Sequence, residues 1–235
     1  LGRNLCQLWV FVGLRRRVSQ PAVLVIDAGL GNIGSVVAAL ERQACTVKRL
    51  ADPPDLPATR GFSHVVLPGV GSFAAGMEAL LQRGWADWLL QQWCATGRPL
   101  LGICLGMQLL ASRGSEGAAS VGAATTGLDL IPGTVERIHP DGGLPLPHVG
   151  WNAVDWQASA GPLAKGLTPG GDFYFVHSYA FTPADSAHAL ASADYGGMFT
   201  AVVGWGACYG VQFHPEKSQR LGRQLLSNFL ALGPC

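Results

Sequence analysis

Leu100-Leu101-Gly102-Ile103-Cys104-Leu105-Gly106-Met107-Gln108 is the stretch whose reading decides the fold. The turn formers Gly97-Arg98-Pro99 precede it, and Leu109-Leu110-Ala111, with helical character, follows. The run therefore reads as a short buried strand that turns sharply into a helix, with Cys104 at the turn. Gly102 and Gly106 leave the backbone room to make that turn and leave other groups room to approach the sulfur. A thiol at a helix N-terminus feels unpaired N–H groups and the positive end of the helix dipole. Both favour the nucleophilic thiolate. The same spelling also describes a buried, inert cysteine, so a thiol and two glycines leave both readings open.

Upstream, Ala22-Val23-Leu24-Val25-Ile26-Asp27 is a continuous apolar run of the kind found in a parallel strand covered on both faces. Gly29-Leu30-Gly31-Asn32-Ile33-Gly34 then leads into a helix carrying Val36, Val37 and Leu40. Its glycine spacing also fits a dinucleotide loop, but no clear acidic ribose ligand follows the next strand, Val47-Lys48-Arg49-Leu50. His64-Val65-Val66-Leu67 is a third strand and runs into Pro68-Gly69-Val70-Gly71-Ser72-Phe73. Two glycines straddling one residue make a mobile turn at a strand's C-terminal end, where open α/β sheets place ligands. Such a turn can aim an N–H at a developing oxyanion; an ordinary strand–helix turn has the same spelling. Residues 77–81 and 85–93 read as helices leading to the Cys104 strand.

Downstream, residues 112–126 are small, polar and glycine-rich, a loop whose only acid is Glu116. That carboxylate is either a solvated loop group or the partner of a substrate ammonium. Residues 128–133 and 135–138 read as short strands of an antiparallel layer. Pro147-His148-Val149-Gly150-Trp151-Asn152 reads as an exposed aromatic loop, and Phe173-Tyr174-Phe175-Val176-His177-Ser178-Tyr179 as an aromatic strand ending in polar groups. Residues 200–203 and 207–213 pair as a hairpin around Gly204-Trp205-Gly206. The hairpin ends in His214-Pro215-Glu216-Lys217-Ser218. A thiolate needs an imidazole to hold its proton and later protonate a leaving amine, and the imidazole needs a carboxylate to fix its tautomer. On an extended segment, alternate residues share a face, so His214 and Glu216 supply that pair. A lone His-Pro-Glu is equally the spelling of a satisfied structural histidine. The last helix, residues 221–230, is apolar at Leu221, Leu225, Leu226, Phe229 and Leu230, one face for packing on the sheet.

Composition narrows the class. The chain has 235 residues, 49% of them hydrophobic and only 13% charged, enough to bury a sizeable core. A net charge of +1 gives no broad basic surface for nucleic acid. The six cysteines lack Cys-x-x-Cys spacing, so neither a disulfide framework nor a zinc site is expected, and free thiols fit the cytoplasm. No apolar run approaches the roughly 18 residues of a membrane span. Residues 1–20 read as an N-terminal extension: a short apolar run followed by Arg15-Arg16-Arg17, the reverse of a secretory signal. Residues 21–235 are expected to form the domain.

Pro68-Gly69-Val70-Gly71, the Cys104 elbow and Gln212-Phe213-His214-Pro215-Glu216, in this order, resemble the class I, triad-type glutamine amidotransferases from about Val23 to Leu230. The narrower resemblance is to the glutaminase subunits of imidazole glycerol phosphate synthases. It rests on Met107 before Gln108, His148-Val149-Gly150-Trp151-Asn152, Phe175-Val176-His177-Ser178-Tyr179 and Lys217-Ser218. Glutaminases of anthranilate or aminodeoxychorismate synthase, the alternative, typically carry His before that Gln and lack Gly-Trp-Asn. The resemblance implies a flavodoxin-like α/β fold: an open, mostly parallel sheet with helices on both faces and an added antiparallel layer. It implies Cys104 as nucleophile, His214 as general base and acid, and Glu216 as the orienting carboxylate. It implies oxyanion donors at Leu105 and at Val70 after Gly69, the latter in a peptide that reorients. Gln108, Glu116, Tyr174 and Ser178 match positions that hold the substrate glutamine, and Lys217, Asn32 and Trp151 match a docking face. The implied partner is a (β/α)8-barrel cyclase in a heterodimer that takes up the ammonia; no cofactor or metal is implied. Ala28 and Gly34 depart from the aromatic and long residues many members carry in the first loop.

Overall fold

The computed structural model describes residues 20–31, 33–120 and 122–234; the extension at residues 1–20 thus lies, apart from Gln20, outside the described residues, as does Asn32. The continuous apolar runs form the strands expected of them. β1 (Ala22–Ile26), β2 (Thr46–Leu50), β3 (His64–Gly69), β4 (Leu100–Cys104) and β13 (Cys208–Val211) make a parallel set in the order β2-β1-β3-β4-β13. β12 (Met198–Trp205), β11 (Ala189–Asp194), β8 (His148–Trp156) and β9 (Gly171–His177) extend that sheet to nine strands by antiparallel pairing. A second, four-stranded sheet runs β10-β7-β5-β6, from β5 (Arg113–Gly114), β6 (Thr125–Thr126), β7 (Gly133–Arg137) and β10 (Tyr179–Pro183).

Both faces of the central strands β1, β3 and β4 are covered, which is why these strands lack alternation, whereas edge strand β2 is largely exposed. Val23, Val25 and Val66 face α1 (Ile33–Glu41) and the final helix, where Val36, Leu40, Leu225 and Phe229 are buried. Leu24, Ile26, Val65 and Leu67 face the opposite side, toward Phe73, Met77 and Leu80 of the helix Phe73–Gln82 and toward Trp85 and Trp88. Along the chain α2 (Leu56–Thr59), α3 (Phe73–Gln82), α4 (Trp85–Trp88), α5 (Leu105–Gln108) and α6 (Gln219–Leu230) complete the helices. The helix expected over residues 85–93 is α4 followed by a π turn, Leu89–Trp93. Arg98 lies over the Trp93 ring, 4.2 Å from its centroid, and donates to the Thr59 and Phe62 carbonyls, tying the loop to this wide turn.

Three readings of the second half are corrected. Residues 128–133 form no strand until Gly133. The N–H groups of Leu128, Asp129, Leu130 and Ile131 bond the carbonyls of Leu109, Ala111 and Leu110, and so satisfy groups left open where α5 stops. The stretch from His148 is the start of strand β8, not a loop. Its alternation was disguised because one face carries His148, Gly150 and Asn152 and the other the exposed Val149 and Trp151. Residues 112–126, read as loop throughout, contain the two short strands β5 and β6.

The register places the site. Gly69 pairs with Cys104 and Ile103 with Val211, so β3, β4 and β13 end side by side at their C-terminal edges. The sheet curls enough that β9, at its far edge, returns over this corner: Phe213 packs on Phe173 and Phe175, with ring centroids 4.1 and 5.6 Å apart.

Candidate active site

Cys104 is the hinge between β4 and α5, with φ 55° and ψ −110°. A non-glycine residue held there costs about 1–3 kcal/mol, so surrounding packing must impose it. Gly102 and Gly106 supply the packing. A Cβ on Gly102 would overlap the Gly106 carbonyl, and one on Gly106 would overlap the Leu67 carbonyl of β3. The strain thus falls on Cys104 itself, and the glycines serve close approach. α5 is a single turn of four residues, so the helix dipole expected to favour a thiolate is small, and the charge partner at hand is His214.

His214 follows β13 and is fixed from three sides. Its N–H donates to the Tyr174 carbonyl at 2.9 Å, and its carbonyl accepts from Ser218 Oγ at 2.7 Å. Ser218 Oγ in turn accepts from the Tyr174 N–H at 3.0 Å, so Ser218 stitches this turn to β9. His214 Nδ1 lies 2.8 Å from Glu216 Oε1, and both side chains are almost wholly buried. The segment between them is not extended, as the sequence suggested, but a 3₁₀ turn over Pro215–Lys217. Pro215 opens it because its fixed φ suits the first helical position. Burial alone lowers the His214 pKa, but the Cys104 side chain and the Glu216 carboxylate outweigh it and push the value up to about 9. The imidazole is therefore held as a cation between a sulfur and a carboxylate.

A cavity of about 270 Å³ opens over this pair, lined by Cys104, Leu105, Gln108, Glu116, Ser178 and His214 among others. Leu105 is the first residue of α5, so its N–H has no partner inside the turn and lies beside the sulfur's residue. Glu116 is half-buried; burial raises its pKa, and the Phe73 N–H at the start of α3 partly offsets this. Val70 also lines the cavity, but its N–H is turned away and donates to the Leu30 carbonyl at 2.9 Å. A Cβ on Gly31, at φ 103°, would overlap the Val70 side chain, so the first loop latches this turn by backbone and by packing.

Not every predicted residue joins the cavity. Tyr174 is not among its lining; the parity of β9 puts its ring edge-on to Trp151, 5.9 Å between centroids, with Lys217 Nζ 5.6 Å above it. Tyr174, Trp151 and Lys217 thus form one rim cluster beside the cavity mouth. Gly69 lies behind Val70 in a smaller cavity of about 30 Å³ that Glu216 also lines. Glu216 Oε2 is buried without a partner among the described residues.

Sequence reasoning missed His177. It is buried in the cavity wall with Nδ1 2.9 Å from the Tyr179 carbonyl and Nε2 3.0 Å from His148 Nδ1. A carbonyl only accepts, so His177 Nδ1 carries hydrogen, Nε2 accepts, and His148 Nδ1 donates. Burial first, then the nearby His148 and His214, lower the His177 pKa to about 4. Among the described residues no three His, Cys, Asp or Glu side chains come together as a metal site. No helix among them is long and apolar enough to cross a membrane.

Chemically, the corner offers a strained thiol, a cationic imidazole with a carboxylate behind it, and the open N–H of Leu105 next to the cysteine. That combination suits acyl transfer from a carboxamide. Comparison with known proteins agrees. The family model for glutamine amidotransferase class-I matches residues 24–232. Imidazole glycerol phosphate synthase subunit HisH 1 of Prochlorococcus marinus (strain MIT 9313) is 55% identical over 215 residues, covering 91% of this chain and 98% of that one. Subunit HisH of Rhodospirillum rubrum is 45% identical over 219 residues, covering 90% and 99%. Among solved structures, PurLQS from Thermotoga maritima shares the fold at 16% identity, with a TM-score of 0.62 and coverage of 90% and 98%.

Proposed function

For a chain that belongs to the class I glutamine amidotransferases, and within them to the HisH subunits of imidazole glycerol phosphate synthase, we propose that Cys104, His214 and Glu216 carry out the glutaminase reaction. The reaction serves histidine biosynthesis: glutamine and water give glutamate and ammonia. The Cys104 thiolate attacks the carboxamide carbon, and the oxyanion that forms is met by the Leu105 N–H. His214 gives its proton to the nitrogen, the C–N bond breaks, and ammonia leaves a thioester on Cys104. His214 then takes a proton from water, which opens the thioester to glutamate and restores the thiolate. Glu216 stays ionised and holds the imidazole's tautomer throughout. Gln108, Glu116 and Ser178 hold the amino-acid end of glutamine, with the Glu116 carboxylate facing its ammonium.

The second oxyanion donor, the Val70 N–H, becomes available only when its bond to Leu30 is released. As a synthase subunit the chain works with a partner subunit, and we take that partner to be a (β/α)8-barrel cyclase docked on the face of Trp151, Tyr174, Lys217 and the first loop with Asn32. Docking there reaches Leu30 and Gly31, the residues that latch Val70, which couples ammonia release to the acceptor. Both subunits are read as cytoplasmic.

The observation that carries this reading is the buried 2.8 Å pair of His214 and Glu216 in the corner that holds Cys104. Cys104→Ala tests it in the complex with the partner subunit. Glutamine-dependent synthesis is expected to disappear while synthesis from added ammonium salt continues. Glutamine-dependent synthesis at the native rate would overturn the assignment.

A further inference from the structure

A second polar set, made of neutral groups, reaches the sulfur through Gln212, which does not line the reaction cavity, although its partners Gln108, His177 and Tyr179 do. Gln212 is wholly buried, and its Nε2 lies 3.8 Å from Cys104 Sγ, within reach of an N–H···S hydrogen bond. Gln212 Oε1 accepts from Gln108 Nε2 at 3.1 Å, and the same Nε2 donates to the Tyr179 carbonyl at 3.1 Å. That carbonyl also accepts from His177 Nδ1 at 2.9 Å.

The orientation of every group in this set follows from one fact: a backbone carbonyl can only accept. Tyr179 O therefore faces the nitrogen of Gln108, not its oxygen. Gln108 uses its second N–H on Gln212, so Gln212 must turn its oxygen toward Gln108 and its nitrogen toward the sulfur. Flipping Gln212 would set two N–H groups against each other and aim an oxygen at the sulfur. In a site this buried, either fault leaves polar groups unpaired, so the flipped form is disfavoured. The thiol form of Cys104 has its own partner, the Val176 carbonyl, 3.7 Å from Sγ. The sulfur thus sits between an acceptor that suits its protonated form and a donor that suits its ionised form.

We propose that Gln212 is a positioning residue for the nucleophile, its amide N–H holding the Cys104 sulfur as a thiolate, with the direction of that N–H set from the Tyr179 carbonyl through Gln108. Gln212 takes no proton and touches no reacting carbon. It acts on how much thiolate is present and on where the thiolate points, while His214 handles protons. This assignment rests on Cys104 being the nucleophile. It also gives Gln108 a second task, because the residue expected to bind glutamine also orients the donor behind the sulfur.

The test measures the rate of iodoacetamide modification at the Cys104 peptide against pH, read by mass spectrometry so that the other cysteines do not contribute. Two variants of the full chain are compared with the native protein. Gln212→Met removes the donor and keeps the length. Gln212→Glu keeps the oxygen that Gln108 needs and sets a second oxygen against the sulfur. Thermal unfolding checks that each is folded, and the isosteric Glu variant serves if Met does not fold. The midpoint for modification is expected to move up by about one pH unit in Gln212→Met, a roughly tenfold loss of thiolate below the midpoint, and further in Gln212→Glu. Turnover is expected to fall with the thiolate fraction while the KM for glutamine changes little. An unchanged midpoint in a folded variant would overturn the inference. Failure of the nucleophile assignment shows up separately, as activity surviving in Cys104→Ala.

Discussion

Two buried histidines, each paired with a second side chain, line one cavity, and they are held in different charge states. His214 and Glu216 follow β13; His177 and His148 lie on β9 and β8. Burial acts on both the same way, against the cation. The difference lies in the partner. His214 has a sulfur on one side and a carboxylate 2.8 Å away on the other, and its pKa goes up to about 9. His177 has a second imidazole and a carbonyl, and its pKa goes down to about 4. One corner of the fold thus makes a proton carrier and a neutral spacer from the same side chain. Packing sets neither role alone; the sulfur and the carboxylate beside His214 decide.

The sharpest way to break this contrast is to remove that carboxylate's charge. Glu216→Gln keeps shape and burial and leaves His214 with the Cys104 sulfur as its remaining charge partner. Glutamine turnover in the complex is expected to fall by about 10⁴-fold, as when the orienting carboxylate of a hydrolase triad is neutralised. Ammonia-dependent synthesis is expected to be untouched. Steady-state assays with both nitrogen sources separate the two. A modest drop in glutamine turnover would mean that His214 keeps its charge through Cys104 alone.

The two pairs also differ in how visible they were in the sequence. Cys104, His214 and Glu216 could be read because a thiolate mechanism demands those side chains, and the strands carrying them are continuous apolar runs. Nothing comparable marked His148 and His177. The β8 stretch carries Pro147 beside it, Gly150 within it and two exposed apolar residues, so it looked like a loop. Only its pairing with β9, His148 opposite His177, makes it a strand. Tyr174 was placed with the substrate by resemblance, yet its cross-strand pairing with Trp151 sets its ring in the rim cluster. Gln212 was visible within the run that carries His214, but nothing in that run shows which way its amide points, because β13 ends at Val211 and the direction is set by Gln108 and the Tyr179 carbonyl. The direction of the Val70 N–H was equally hidden, because the carbonyl that holds it belongs to Leu30, in a different connection of the sheet.

A milder perturbation tests the neutral pair. His148→Phe keeps a ring against Tyr195, whose centroid is 4.0 Å away, and against Phe175 at 5.2 Å, but removes the donor to His177 Nε2. A buried acceptor is left unpaired, so urea unfolding is expected to show a loss of about 1–3 kcal/mol. Glutamine turnover is expected to fall far less than in Glu216→Gln, because His177 exchanges no proton with substrate. A loss of turnover matching that of Glu216→Gln would erase the distinction and put His177 in the chemistry.

The smallest effect is on stability against pH, and its sign differs for the two histidines. An unfolded imidazole titrates near 6.5. The folded His214 value of about 9 lies above that, so its contribution is complete below 6.5 and drains away as pH rises toward 9. The folded His177 value of about 4 lies below it, so its contribution is intact above 6.5 and is lost as pH falls toward 4. Other groups titrate over these ranges, so the difference between native protein and variant isolates each histidine. The gap in thermal midpoint between native protein and Glu216→Gln is expected to be widest at pH 6 and to close by several degrees at pH 9, at about 2–4 °C per kcal/mol for a chain of this size. His177→Asn is expected to lose less stability than the native protein between pH 6.5 and 4. Gaps that stay parallel across both ranges would mean that neither imidazole changes its charge on unfolding, and the contrast between the pairs would then be one of geometry alone.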